Sequence, residues 1–105
     1  MPAASNETKR KQIRHDLLKQ LAEKGNLTKY YSDLVDDYMN MWDVKEMLIQ
    51  DIAERGVSVP WQKSTKQNDS VPNLLRINGQ MIKTLQALGI KPSTELVSDG
   101  DDIDL

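Results

Sequence analysis

The chain has 105 residues, with 14 Lys+Arg against 16 Asp+Glu, one His, no Cys and no Phe. That length fits one domain at the small end of what buries a core unaided. The lack of Cys excludes a disulfide framework, a Cys-ligated zinc site and a thiol nucleophile. The opening residues carry charge but no apolar run, and the longest apolar runs are two or three residues. Neither a secretory signal nor a membrane span is therefore expected.

The formal net charge of −2 hides a division along the chain. Residues 1–29 carry seven basic side chains (Lys9, Arg10, Lys11, Arg14, Lys19, Lys24, Lys29) against three acidic ones. Residues 92–105 carry five acidic side chains (Glu95, Asp99, Asp101, Asp102, Asp104) and no basic one. A basic head and an acidic tail suit two different partners, one polyanionic and one basic; two solvated, mobile ends are the simpler alternative.

In chain order, residues 1–8 are small and polar and read as a disordered lead. Residues 9–97 read as one helical domain, and residues 98–105 as a disordered acidic tail. Ile13, Leu17, Leu18 and Leu21 recur at helical spacing within Lys9–Lys24, and Gly25 stops the pattern. Thr28 is placed to cap a second, longest helix that runs to about Arg55 and ends at Gly56. Along it, Tyr31, Val35, Tyr38, Trp42, Lys45, Ile49 and Ile52 step by four and three, which is heptad spacing. A helix of that length is about 40 Å long, too long for a compact domain of this size. It either projects or packs against copies of itself.

Residues 57–70 mix Val-Ser-Val alternation with Pro60, Trp61 and a polar run, and are expected to form an exposed loop with at most a short extended piece. Trp61 is expected to cover a core edge, with stacking on a ligand as the alternative. Ser70 is placed to cap a third helix, with Pro72 in its first turn. Its apolar face is Leu74, Leu75, Ile77, Met81, Ile82, Leu85 and Leu88, and Asn78 falls on or near that face. Gly89 ends it, and Ile90 is positioned for the hydrophobic contact of a Schellman cap. Pro92 and Ser93 start a last short turn.

The chemistry of catalysis is thin. The five glycines are isolated, so neither of the Gly-rich phosphate turns is present. His15 is the single imidazole and is expected to face solvent, and no metal or cofactor is expected. Asp36 and Asp37 are adjacent and diverge by about 100° on a helix, so they form no carboxylate pair. A binding or assembly protein is favoured over an enzyme.

The most specific stretch is Asn68-Asp69-Ser70-Val71-Pro72-Asn73-Leu74-Leu75, followed by Ile82, Leu85 and Leu88-Gly89-Ile90-Lys91-Pro92-Ser93. Over roughly residues 10–95 the chain resembles the small terminase subunit of tailed bacteriophages. In that family an Asn-Pro-type start opens a helix that closes with a Leu-Gly-Leu-Thr-Pro-Ser-like sequence, here Leu88 to Ser93. This chain departs from the pattern in two places. Pro72 precedes its Asn73, and Glu95 and the aspartates stand where basic residues often follow the final Pro-Ser.

The resemblance implies a non-catalytic DNA-packaging component in the cytoplasm of the bacterial host. Such a subunit engages double-stranded viral DNA, assembles with itself into a ring, and recruits and regulates a large terminase subunit that carries the ATPase and nuclease. The expected fold is all-α, three main helices with a long central amphipathic helix, assembled as a cyclic oligomer. Lys9, Arg10, Lys11, Arg14 and Lys19 are the expected DNA contacts. Tyr31, Val35, Tyr38, Trp42, Ile49 and Ile52 are expected at the interface between copies, with Met39, Val44 and Met47 as further apolar positions off that stripe. Asp101, Asp102, Ile103, Asp104 and Leu105 are expected to dock on the large subunit, with an inert solubility tail or an internal cover for the basic head as the alternatives. The alternatives are a small helical transcription regulator or antitoxin, and a structural helical module; no helix-turn-helix signature supports the first of these.

Overall fold

The computed structural model describes residues 2–90, with side chains from Asn6 onward. Three helices, α1 (Pro2–Glu23), α2 (Lys29–Arg55) and α3 (Ser70–Leu88), carry most of the chain. A two-stranded antiparallel sheet of β1 (Ser58–Trp61) and β2 (Ser64–Gln67) lies between α2 and α3.

Helix α1 starts at Pro2, ahead of the expected Lys9, so the lead read as disordered is helical from its second residue. A proline at the first helical position has its φ already set, and no Gly or Pro follows before Gly25. At its other end Gly25 takes φ +74°. There Asn26 N–H donates to Leu21 O at 2.8 Å and Gly25 N–H to Ala22 O at 3.0 Å. Those are the two bonds of a Schellman cap. Helix α2 begins as its sequence predicts, with Thr28 extended and its hydroxyl accepting from the Tyr31 N–H at 3.4 Å.

The helices run up, down and up. Arg10 on α1 meets Asp43 on α2 and Arg14 meets Asp36, so α1 and α2 are antiparallel. Ser70 at the start of α3 meets Asp51 near the end of α2, so α3 reverses again. The Lys24 ammonium, just past α1, donates to the carbonyl of Gly89 just past α3, which ties those two ends together. The core sits where all three helices overlap. It is Leu17 and Leu21 from α1, Val35, Met39 and Trp42 from α2, and Met81 and Leu88 from α3. Fully burying side chains of this size stabilises by roughly 1.5–3 kcal/mol each. Beyond Trp42, α2 buries none of its side chains fully, and its last turns meet the hairpin and the start of α3 through Asp51 and Arg55.

The stretch 57–70, expected as a loop, is a hairpin. Ser58 pairs with Gln67, Val59 with Lys66, Pro60 with Thr65 and Trp61 with Ser64. The two-residue connection puts Gln62 at φ +54°, the left-handed setting that tight hairpin turns require at their first loop residue. No Gly or Asn stands there, so the usual sequence signal was missing. Trp61 covers no core edge; it is 51% exposed.

The start of α3 also differs from expectation. Ser70 lies inside the helix, and the residue that caps it is Asn68, whose Oδ1 accepts from the Ser70 N–H at 2.9 Å. Asn78 is exposed, because its position on the wheel lies beside the Ile77–Met81 face and not on it. The C-terminal end follows the sequence closely. Gly89 takes φ +71°, Ile90 N–H donates to Leu85 O and Gly89 N–H to Gln86 O, each at 3.0 Å, and Ile90 packs on the core. The turn at Pro92 and Ser93 and the acidic tail lie outside the described residues.

Candidate nucleic-acid interface

Helix α1 divides its cations between two faces. Its inner face is set by Ile13, Leu17, Leu18 and Leu21, which pack on the core. Arg10 and Arg14 lie three and four residues from those apolar positions and therefore share the face turned to α2. The Arg10 guanidinium grips Asp43 with two bonds, Nε to Oδ1 at 2.7 Å and Nη2 to Oδ2 at 3.0 Å. The bond to Asp43 raises the Arg10 pKa above its ordinary value, against a smaller opposing effect of desolvation. Arg14 reaches Asp36 at 3.2 Å through Nη2 and 3.3 Å through Nε.

Lys9, Lys11 and Lys19 are exposed, and none makes an ion pair among the described residues. Lys11 and Lys19, eight residues apart, stand on one side of the helix about 12 Å from each other along its axis. Between them lies His15, exposed as its sequence predicts, beside a shallow groove lined by Thr8, Lys11, Gln12, His15 and Asp16. Of the five expected DNA contacts, three thus face solvent with their charge unspent. Two are held by carboxylates of α2.

The expected interface residues separate as well. Val35 and Trp42 are buried inside the protomer, and Tyr31 and Tyr38 pack against the same core, half-buried. Burial raises the Tyr38 hydroxyl above its usual pKa. Val35 and Trp42 have no surface left to offer a neighbour of this folded chain. Ile49 is exposed and Ile52 partly so, both on the last turns of α2. The heptad reading found the apolar side of α2 but could not say which half of it the chain's own helices cover. Asp101, Asp102, Ile103, Asp104 and Leu105 lie outside the described residues.

A polar cluster at the base of the hairpin escaped sequence reasoning. Asn68 is fully buried, and both halves of its amide are used twice. Nδ2 donates to Asp51 Oδ2 at 3.0 Å and Gly56 O at 2.9 Å. Oδ1 accepts from Ser70 N–H at 2.9 Å and Arg55 Nη2 at 3.2 Å. Asp51 also takes a two-bond grip from Arg55 and the Ser70 hydroxyl at 2.7 Å. The bonds from Arg55, Ser70 and Asn68 hold its carboxyl well below the usual carboxylate range. The only sequence signal was Asn68-Asp69-Ser70 ahead of Pro72, which marks a helix start but not a buried hub.

Among the described residues no group of three or more His, Cys, Asp or Glu is arranged to hold a metal ion, and no helix is long and apolar enough to cross a membrane. No curated protein and no solved structure matches the chain. The pattern of a family described as phage terminase, small subunit, matches residues 11–99, from the middle of α1 past the end of α3. The chain belongs to the phage terminase small-subunit family.

Proposed function

We propose that this small subunit is a non-catalytic DNA-packaging component that engages duplex viral DNA through the outer face of α1. The observation that carries the reading is the division of cations on that helix: Lys9, Lys11 and Lys19 project into solvent while Arg10 and Arg14 are tied to Asp43 and Asp36. Unpaired lysines on a helix face supply backbone phosphate contacts, and among the described residues no element is built to read bases. Three lysines give weak binding alone. Repetition around an assembly multiplies the contacts.

An uncharged stripe on α3 supports assembly of copies. Leu75 is 69% exposed and Ile82 56% exposed, and between them Asn78 and Gly79 are also exposed. A Cβ on Gly79 would meet nothing within 4 Å, so another backbone has room to approach there. Met47 and Ile49 on α2 are further exposed apolar side chains in a chain that is 29% charged. A heterologous contact through such a stripe closes into a ring where the rotation between copies allows it. We assign the acidic segment Asp101–Leu105 to the large subunit, on its charge and its two apolar residues.

The test is duplex DNA binding of the full chain by fluorescence anisotropy across a salt series. Lys9→Ala, Lys11→Ala and Lys19→Ala together are expected to weaken binding at least tenfold and to flatten the salt dependence. Arg10→Gln with Arg14→Gln is expected to change it about twofold or less. Equal losses in both variants, or none in the first, overturn the assignment to the outer face.

A further inference from the structure

The chain has two tryptophans in opposite settings: Trp42 is 4% exposed in the core and Trp61 51% exposed on the hairpin. A large ring left half in water forgoes burial that a core would reward. Beside it is an open cavity of about 610 Å³ lined by Arg55, Val59, Pro60, Trp61 and Lys66. The lining therefore joins an aromatic face, two aliphatic residues and two cations, with no carboxylate among them. We propose that this hairpin cavity binds an unpaired nucleotide, with the base stacked on Trp61 and its phosphate held by Arg55 and Lys66.

Each part of the cavity has chemistry for one part of that ligand. A base offers a π-face that stacks on an aromatic ring whatever its sequence, and a phosphate accepts from a guanidinium or ammonium. Lys66 Nζ already lies 4.3 Å from the Trp61 ring centroid, so cation and platform are adjacent. Its other partner is Asp69 at 3.6 Å, a long contact to a carboxylate that is 78% exposed, which a phosphate can displace. Arg55 uses Nε and Nη2 on Asp51 and Asn68, whereas its Nη1 makes no hydrogen bond among the described residues. The guanidinium is thus fixed in place with a donor to spare. The hairpin is mounted rigidly, since Asn68 N–H donates to Val57 O at 2.7 Å and the Asn68 side chain bonds both helices. Such pre-organisation lowers the ordering cost of binding.

An unpaired base is required because in a duplex both faces of each base are stacked on neighbours. The site extends the DNA-engaging reading but uses none of its residues. It would take strand ends or separated strands, while α1 takes duplex.

The experiment uses the full chain and an eight-residue thymidylate strand at low salt. Trp61 emission is expected to be quenched saturably, with the buried Trp42 as a constant background. Trp61→Ala should weaken binding of the labelled strand about fivefold or more, and Trp61→Tyr should restore most of it. Lys66→Gln should weaken it without shifting the Trp42 emission that reports folding. The Lys9, Lys11 and Lys19 triple variant should keep the quench within about twofold, so failure of the α1 reading leaves this result standing. Four outcomes overturn the proposal: no quench, equal quenching by a duplex of the same length, equal quenching by an abasic strand or polyglutamate, or loss of the quench in the triple variant.

Discussion

Asn68 Nδ2 and Asp51 Oδ2 lie 3.0 Å apart across a sequence separation of 17, and that bond sets how the hairpin leaves α2 and enters α3. Asp51 alone would hold Arg55 as an ordinary pair on one helix turn. The buried amide links that pair to Gly56 O and to the Ser70 N–H, so one side chain closes the end of α2 and opens α3.

Replacing Asn68 tests this directly. Asn68→Leu keeps the volume but leaves the Gly56 carbonyl and the Ser70 N–H without their partners. A loss of about 2–4 kcal/mol in urea unfolding is expected. Ser70→Ala removes one hydroxyl bond and should cost about 1 kcal/mol. A loss below about 0.5 kcal/mol for Asn68→Leu would show that the cluster is incidental.

The same cluster gives a pH dependence with a definite sign. The Asp51 carboxyl titrates below its ordinary value of 3.8 in the folded chain. Its contribution is therefore complete above the unfolded value and declines as pH falls through the folded one. The urea midpoint of Asp51→Asn should fall less than that of the parent below about pH 4, while lying under it at neutral pH. Parallel acid limbs in the two proteins would contradict the assignment.

The glycines of α3 should respond in opposite directions. Gly89 sits at φ +71°, and an added Cβ would meet only the flexible end of Lys24 at 3.9 Å. The cost of Gly89→Ala is thus backbone strain, about 1 kcal/mol. Gly79 is helical with open space around it, so Gly79→Ala should stabilise the fold by roughly 1 kcal/mol. If copies pack on this face, the same change weakens their association in sedimentation. Thermal melts and sedimentation together separate the two effects.

Arg10 and Asp43 are about one-third and two-fifths exposed. A double-mutant cycle of Arg10→Ala and Asp43→Ala should give a coupling under about 1 kcal/mol that shrinks at high salt. A coupling well above that would mean that α1 is pinned to α2 mainly by charge and not by Leu17 and Leu21.

The three helices were legible because their ends are marked by Gly25, Thr28, Gly56 and Gly89, whose roles are local and follow from backbone geometry. The hairpin was not, since Gln62 adopts a left-handed φ that its residue type does not advertise. The candidate site was half legible. Charge spacing found the cations of α1, but their division depends on Asp36 and Asp43, which lie 22 and 33 residues further along. Sequence periodicity likewise cannot tell a heptad stripe buried by its own chain from one that awaits a neighbour.

The placement of the Asn68 cluster beyond the apolar core divides the molecule into two ends held by different forces. Near Leu21 and Met39, opening exposes much apolar surface and so carries a large heat capacity and a steep response to urea. At the hairpin the fully buried amide of Asn68 is the principal tie, and Val59 is the one buried apolar side chain on either strand. Amide hydrogens of β1, β2 and the first turn of α3 should therefore exchange through openings whose free energy hardly changes with denaturant. Those of central α2 should follow the global transition, so this small domain has one hydrophobic clock and one polar clock.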